Sequence, residues 1–265
     1  MSNLYHTYPW DCLLSIKDND PVFIESEPLL RSLSYQEFFT SQFCSSRNLI
    51  LDCGVGASPD LNKPMDHVSK DPHWGVWYLR MIRDIMPRVV VVPDSLGCSS
   101  VTRSNFYLYE YIIKAMWTPR PPELMYVIQA ATWKEARSEI DFACTYRGIT
   151  WVGFPRLVHY WGDTQDADEL AEIRIKFVSS VITKLKDSEK KIHLLGMNNT
   201  RELYWAGNND ISCDTRLASL AGFHGFDVRD TRPPNLKIDL AESFTKNQVE
   251  AILKNIQILN HIYKE

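Results

Sequence analysis

Asn48-Leu-Ile-Leu-Asp-Cys53, Arg88-Val-Val-Val-Val-Pro-Asp94 and Leu124-Met-Tyr-Val-Ile-Gln129 decide the fold of this chain. Each is a short, nearly unbroken apolar run, rich in β-branched residues and closing on a polar group. Runs of this kind are strands covered by protein on both faces, the pattern of a parallel sheet rather than of a half-wet antiparallel one. Further runs come at Ile149-Thr-Trp-Val-Gly153, Lys191-Ile-His-Leu-Leu-Gly196 and Asp210-Ile-Ser-Cys-Asp214, with a weaker one at Gly225-Phe-Asp-Val228. Between them, apolar residues recur at three- and four-residue intervals over 74–86, 106–116, 133–143, 167–185 and 246–262, the helical period.

Strand and helix in alternation imply a parallel α/β architecture. Seven candidate strands fit a (β/α)8 TIM-type barrel, closed or slightly incomplete, better than an open sheet of five or six. Nothing in the sequence marks a boundary: there is no repeat, low-complexity tract or Gly/Ser linker. A single barrel domain over residues 1–265 is therefore expected, with 1–47, rich in aromatics, as an N-terminal cap or lid segment.

The composition, 45% hydrophobic and 23% charged over 265 residues, is that of a globular chain able to bury a full core. No apolar run reaches the roughly 20 residues of a membrane span. The N-terminus lacks a basic segment followed by an apolar one. A soluble cytoplasmic protein without membrane contact is predicted. The six cysteines are dispersed with no C-x-x-C pair, and His159, His193 and His224 have no ligand spacing, so no metal site is expected and the histidines read as structural or surface residues. Gly54-Val-Gly56-Ala-Ser58 lacks the ending of a phosphate loop, and no cofactor is implied.

The net charge of −4 supplies no global field for a polyanion. Nucleic-acid binding would need a local patch. The candidates are Arg80, Arg83 and Arg88; Lys184, Lys186, Lys190 and Lys191; and Arg229 and Arg232, each equally readable as a solvated surface.

The strand ends are more informative. The runs close on Asp52, Asp94, Gln129, Gly153, Gly196 and Asp214. One Asp at a strand end is ordinarily a helix cap or turn residue. Three Asp and one Gln at four such ends, which a barrel gathers at one face, indicate a polar pocket.

These same segments resemble a known family. Leu51-Asp52-Cys53-Gly54 looks like the L-D-S-G-G segment of tRNA-guanine transglycosylases, and Val127-Ile128-Gln129-Ala130-Ala131 like their V-Q-G-G. Pro93-Asp94 falls where that family reads guanine. Ile149-Thr-Trp-Val-Gly153-Phe154 resembles G-L-A-V-G, His193-Leu-Leu-Gly196-Met197 resembles Y-L-M-G-V, and Ser212-Cys213-Asp214-Thr215-Arg216 occupies the place of the strand ending in the nucleophilic Asp. The likeness runs in order from about residue 48 to 222. Val55, Ala130 and Ala131 stand where the family has glycines, and the C-x-C-x-x-C zinc subdomain that helps grip tRNA is absent. In this the chain is more similar to compact relatives, carried by phages and bacterial islands, that place 7-deazaguanines into DNA; for a phage protein the compartment would be the host cytoplasm.

The resemblance implies a base exchange in DNA, with tRNA as the alternative, in which a 7-deazaguanine such as 7-cyano-7-deazaguanine replaces guanine. Chemistry assigns the roles. Breaking a glycosidic bond builds oxocarbenium character at C1′, which a carboxylate stabilises and traps; Asp214 is the expected nucleophile, with Asp210 in reserve at the start of its strand. Asp52 is the expected general acid and base, its proton held by a neighbouring carboxylate. Asp94 would accept the guanine N1–H and 2-amino group together, and Gln129 with the backbone of Gly153 and Phe154 would meet the O6/N7 edge. An extruded base needs a stacking ring. Phe154 is the first choice among Phe106, Tyr107, Phe154, Tyr160, Trp161 and Trp205, most of which are expected to be packing residues. A homodimer, a non-catalytic partner subunit that positions nucleic acid, and a nucleosidase on the same barrel are the competing expectations.

Overall fold

The computed structural model describes residues 3–16, 20–41, 48–54, 72–117, 121–156, 166–197, 199–229, 240 and 243–264. Eight parallel strands close into a barrel in sequence order: β1 (Leu4–His6), β2 (Val22–Ile24), β3 (Leu49–Leu51), β4 (Val89–Val91), β5 (Glu123–Val127), β6 (Trp151–Phe154), β7 (Lys191–Met197) and β8 (Ser212–Thr215). The seam is the β1–β8 pairing, with Leu4 opposite Cys213, Tyr5 opposite Asp214 and His6 opposite Thr215. The fold is a closed (β/α)8 TIM-type barrel.

Helices α1 (Ser26–Arg31), α2 (Leu33–Ser41), α3 (Pro72–Ile85), α4 (Ser99–Met116), α5 (Trp133–Thr145), α6 (Ala167–Asp187), α7 (Thr200–Asn208), α8 (Leu217–Phe223) and α9 (Lys246–Lys264) form the outer layer. Their starts carry local signals. Thr132 accepts from the Glu135 N–H while Glu135 accepts from the Ala131 N–H, and Asp166 caps α6 through the N–H groups of Asp168 and Glu169.

Two expectations are corrected. Within 1–47, where a cap or lid segment is expected, Leu4–His6 and Val22–Ile24 instead form β1 and β2 of the closed barrel. Each is three residues long, too short to register as a run. Nor is Gly225–Val228 a strand. It turns back after α8, with the Phe226 N–H on the Ala221 carbonyl, and the Val228 N–H is taken by Asn255 of α9.

Alternation along each strand sorts side chains between the barrel interior and the helix layer. Outward, Tyr126 meets Phe106 and Phe142, and Phe154 meets Phe177. Inward, three tiers fill the barrel. The floor is a polar knot: Glu123 accepts from Lys191 (2.6 Å) and the Trp151 indole (2.6 Å), and Asn48 accepts from Tyr5 (3.0 Å) and Arg88 (2.9 Å). Above it His193 stacks on Phe23, rings 6.1 Å apart, with Tyr5 and Trp151 edge-on. The third tier, at the C-terminal ends of the strands, carries the carboxylates.

Outward-facing His6 lies between β1 and α9, 2% exposed, with Nε2 3.0 Å from the Asn260 side-chain Oδ1 and Nδ1 without a partner among the described residues. Burial pushes its pKa down to about 4, against the pull of Asn260 and Asp20. The unfolded chain therefore binds this proton first as pH falls, so stability should drop below pH about 6.5 and go on dropping to about 4, by up to ~3 kcal/mol from this group. Urea unfolding at pH 7.5 and 4.5 should show a smaller acid loss in His6→Gln than in the wild type; equal losses would contradict the assignment.

Candidate active site at the barrel mouth

Asp52 comes directly after β3, on the inward side set by Ile50, and its N–H continues the ladder by donating to the Ile24 carbonyl (2.8 Å). Its Oδ2 accepts from the Gly54 N–H at 3.0 Å. Gly54 has φ +78°, and a Cβ there would lie 2.3 Å from the Ser26 hydroxyl, so only glycine presents this donor.

Asp94 lies three residues past β4 and is 7% exposed. The Cys53 thiol reaches its Oδ1 (3.5 Å), and the Gln129 side-chain amide donates to its Oδ2 (2.5 Å). Gln129 is itself held, its Oε1 accepting from the Gly97 N–H (3.1 Å). One amide hydrogen of Gln129 is then uncommitted among the described residues.

Asp214, on β8, is 4% exposed, and its two oxygens differ. Oδ1 accepts from the Gly196 N–H (3.0 Å) and faces His193 Nε2 (3.1 Å). Oδ2 has no partner among the described residues. The Gly196 donor is there because β7 slips register between Leu194 and Met197, and at that irregularity Gly196 takes φ +66°, which turns its N–H inward.

The structure thus brings Asp52, Asp94, Gln129, Gly153 and Asp214 to one mouth, while Asp210 sits in the turn before β8 at the opposite rim. Gly153 contributes space: a Cβ there would crowd Met125 Sδ (3.0 Å) and Leu195 (3.1 Å). Its backbone is engaged in the sheet on both sides. Phe154 does not fit the stacking role expected of it. Its ring is fully buried in the helix layer, 6.1 Å from Phe177, because strand alternation turns it away from the mouth. Phe106 is likewise core, Tyr107 packs on Phe142 and Tyr146, and Trp205 lies on α7; Tyr160, Trp161 and Val55 fall outside the described residues.

Sequence reading missed His193, treated as a structural histidine. Its signal was position: in β7 the inward set runs Lys191, His193, Leu195, and the register places His193 opposite Ser212, two residues before Asp214. The basic clusters are also displaced. Arg88, Lys190 and Lys191 belong to the opposite rim, where Lys190 donates to the Tyr146 and Ile149 carbonyls, and Lys184 and Lys186 end α6 on that side. Arg229 is tied to Asp227, and Arg232 lies outside the described residues. Among the described residues, Arg156 lies just past β6 and Arg216 just past β8, where it pairs with Glu25 at the end of β2. Burial lowers the Arg216 pKa to about 10, which leaves it charged at neutral pH.

Three carboxylates in one pocket cannot all ionise freely. Burial first, then the charges of Asp214 and Asp94, raise the Asp52 pKa to about 7, against the backbone donors of Gly54 and Cys53. Burial also raises Asp94, offset by its bonds from Gln129 and Cys53. The mouth therefore holds a carboxyl able to give and take a proton at neutral pH. Among the described residues no group of three metal-ligating side chains forms.

No family model matches the chain, and no curated protein matches it.

Asp52 binds its proton more tightly folded than unfolded, so its contribution to stability declines as pH rises from about 4 to 7 and is flat above. Asp52→Asn should therefore be more stable than the wild type at pH 8, by at most ~4 kcal/mol given the residual exposure of the site, and the gain should shrink toward pH 4. Thermal melts across that range check this; a gain independent of pH would contradict the raised pKa.

Proposed function

We propose that this barrel mouth exchanges guanine in a nucleic acid, DNA in preference to tRNA, for a 7-deazaguanine such as 7-cyano-7-deazaguanine, through a covalent link to Asp214. The observation that carries the reading is the inequality of the three carboxylates: one with an oxygen unpartnered among the described residues, one that keeps its proton to about pH 7, and one braced by an amide. Those are the three groups that a glycosidic base exchange requires.

Asp214 Oδ2 attacks C1′ as the bond to guanine breaks, and Asp52 gives its proton to the departing base. Asp94 accepts the guanine N1–H and 2-amino group, with Gln129 fixing its plane and offering its remaining N–H toward the O6/N7 edge. The incoming base then attacks C1′, loses its proton to Asp52 and frees Asp214. One glycosidic bond replaces another, so no nucleotide or cofactor is consumed. Arg156 and Arg216 stand at the mouth for the flanking phosphates. DNA is placed ahead of tRNA on the resemblance of residues 48–222 to the compact DNA-modifying relatives.

The test is incubation with radiolabelled 7-cyano-7-deazaguanine and either duplex DNA or unmodified tRNA, counting label in the polymer. Label should enter DNA, guanine release should slow as pH rises through about 7 with the loss of the Asp52 proton, and Asp214→Asn should abolish both. Label in tRNA alone would reverse the substrate choice, abasic sites without label would mark a nucleosidase, and absence of all three products would overturn the reading.

A further inference from the structure

Below Asp214 the barrel holds a hydrogen-bonded column that the exchange chemistry above does not use. His193 is fully buried, clamped against Phe23 in a near-parallel stack (5° between planes) with Tyr5 and Trp151 at its edges. Its Nε2 faces Asp214 Oδ1 at 3.1 Å, and its Nδ1 faces the Ser212 hydroxyl at 2.9 Å, which is also 2.9 Å from the Ile192 carbonyl.

The hydrogen inventory constrains the ring. A bare Nε2 lone pair cannot face a carboxylate oxygen at this distance, so Nε2 carries hydrogen. Ser212 permits that in two ways. If its hydroxyl turns to Nδ1, a neutral ring donates to Asp214; if it stays on the Ile192 carbonyl, a doubly protonated ring donates to both. Either way Oδ1 receives two N–H donors, from His193 and Gly196, and Oδ2 is left for C1′.

We infer that His193 is a positioning residue that sets the balance between the free carboxylate of Asp214 and its covalent ester, and so the lifetime of the intermediate; the inference rests on the exchange reading proposed above. When Oδ2 bonds to C1′, the C1′–N bond pair leaves with guanine, and Oδ1 becomes the carbonyl oxygen of a neutral ester. When the incoming base attacks C1′, the O–C1′ bond pair returns to the carboxylate and charge reappears on Oδ1. Hydrogen bonds to a charged acceptor are stronger than those to a neutral one. The two donors therefore favour the carboxylate over the ester, restrain formation of the adduct and speed its release. A site lacking the His193 donor would hold the nucleic acid longer.

The experiment measures the covalent protein–nucleic acid adduct on denaturing gels with a labelled guanine-containing DNA oligonucleotide, and with tRNA in parallel. Adduct is formed at fixed free guanine, then chased with 7-cyano-7-deazaguanine. His193→Met removes the donor, and its adduct should decay about tenfold more slowly and stand at a higher level before the chase. His193→Gln, whose amide nitrogen can take the Nε2 position, should restore decay toward the wild-type rate, and Ser212→Ala, which keeps the ring, should give a smaller slowing. Equal decay in all four proteins, or the same change in the Met and Gln variants, would overturn the inference while leaving the exchange reading in place. A wild type that forms neither adduct nor exchanged product on DNA or tRNA would overturn both.

Discussion

The constraint on which the rest of the structure depends is the gathering of three carboxylates within one barrel mouth. Buried anions need donors or protons, and this chain supplies both unequally. Asp214 is held on one oxygen by the left-handed Gly196 and by His193, and Asp94 by Gln129, which is itself locked onto Gly97. Asp52 has backbone donors, but burial and the charges of Asp214 and Asp94 outweigh them, and it keeps its proton toward pH 7. The chemical differentiation of three identical side chains comes from burial, from their mutual repulsion and from the different donors aimed at each.

The barrel provides the geometry for that differentiation. Pairing of β1 with β8 sets Tyr5 beside Asp214, and the stack of Phe23 and His193 fills the middle. Lys191, Arg88 and Trp151 gather on Glu123 at the far end, where their bonds hold its carboxyl below the usual range despite the opposing effect of burial. Among the described inward-facing side chains, the cations Lys191 and Arg88 are thus at the floor and the three aspartates at the mouth. Among the described residues, Arg156 and Arg216 lie just past the ends of β6 and β8.

Much of this was legible in the sequence. The apolar runs at β3 to β5 marked a parallel sheet, and Asp52, Asp94, Gln129 and Asp214 stood out as polar ends to apolar strands, a local pattern that needs no tertiary knowledge. The strands β1 and β2 did not stand out, because Leu4-Tyr-His6 and Val22-Phe-Ile24 are too brief to show a period and gain their stability from neighbours far along the chain. Phe154 was misplaced for want of one fact, which face of β6 it occupies. A one-residue step along a strand exchanges the mouth for the helix layer. His193 was overlooked because its partner, Asp214, is reached only through the β7–β8 register. The basic clusters carried no sign of strand direction, which assigns several of them to the opposite rim.

The chemistry of the mouth rests on the proton that Asp52 keeps. The most direct measurement is a carbon-13 NMR titration of the aspartate carboxyls in the wild type, Asp52→Asn and Asp214→Asn. One carboxyl should titrate near pH 7, be absent from Asp52→Asn and move to lower pH in Asp214→Asn, where a repelling charge is gone. If every aspartate instead titrates in the ordinary acidic range, or the high-pH carboxyl survives in Asp52→Asn, the mouth does not hold the acid and base that the exchange requires.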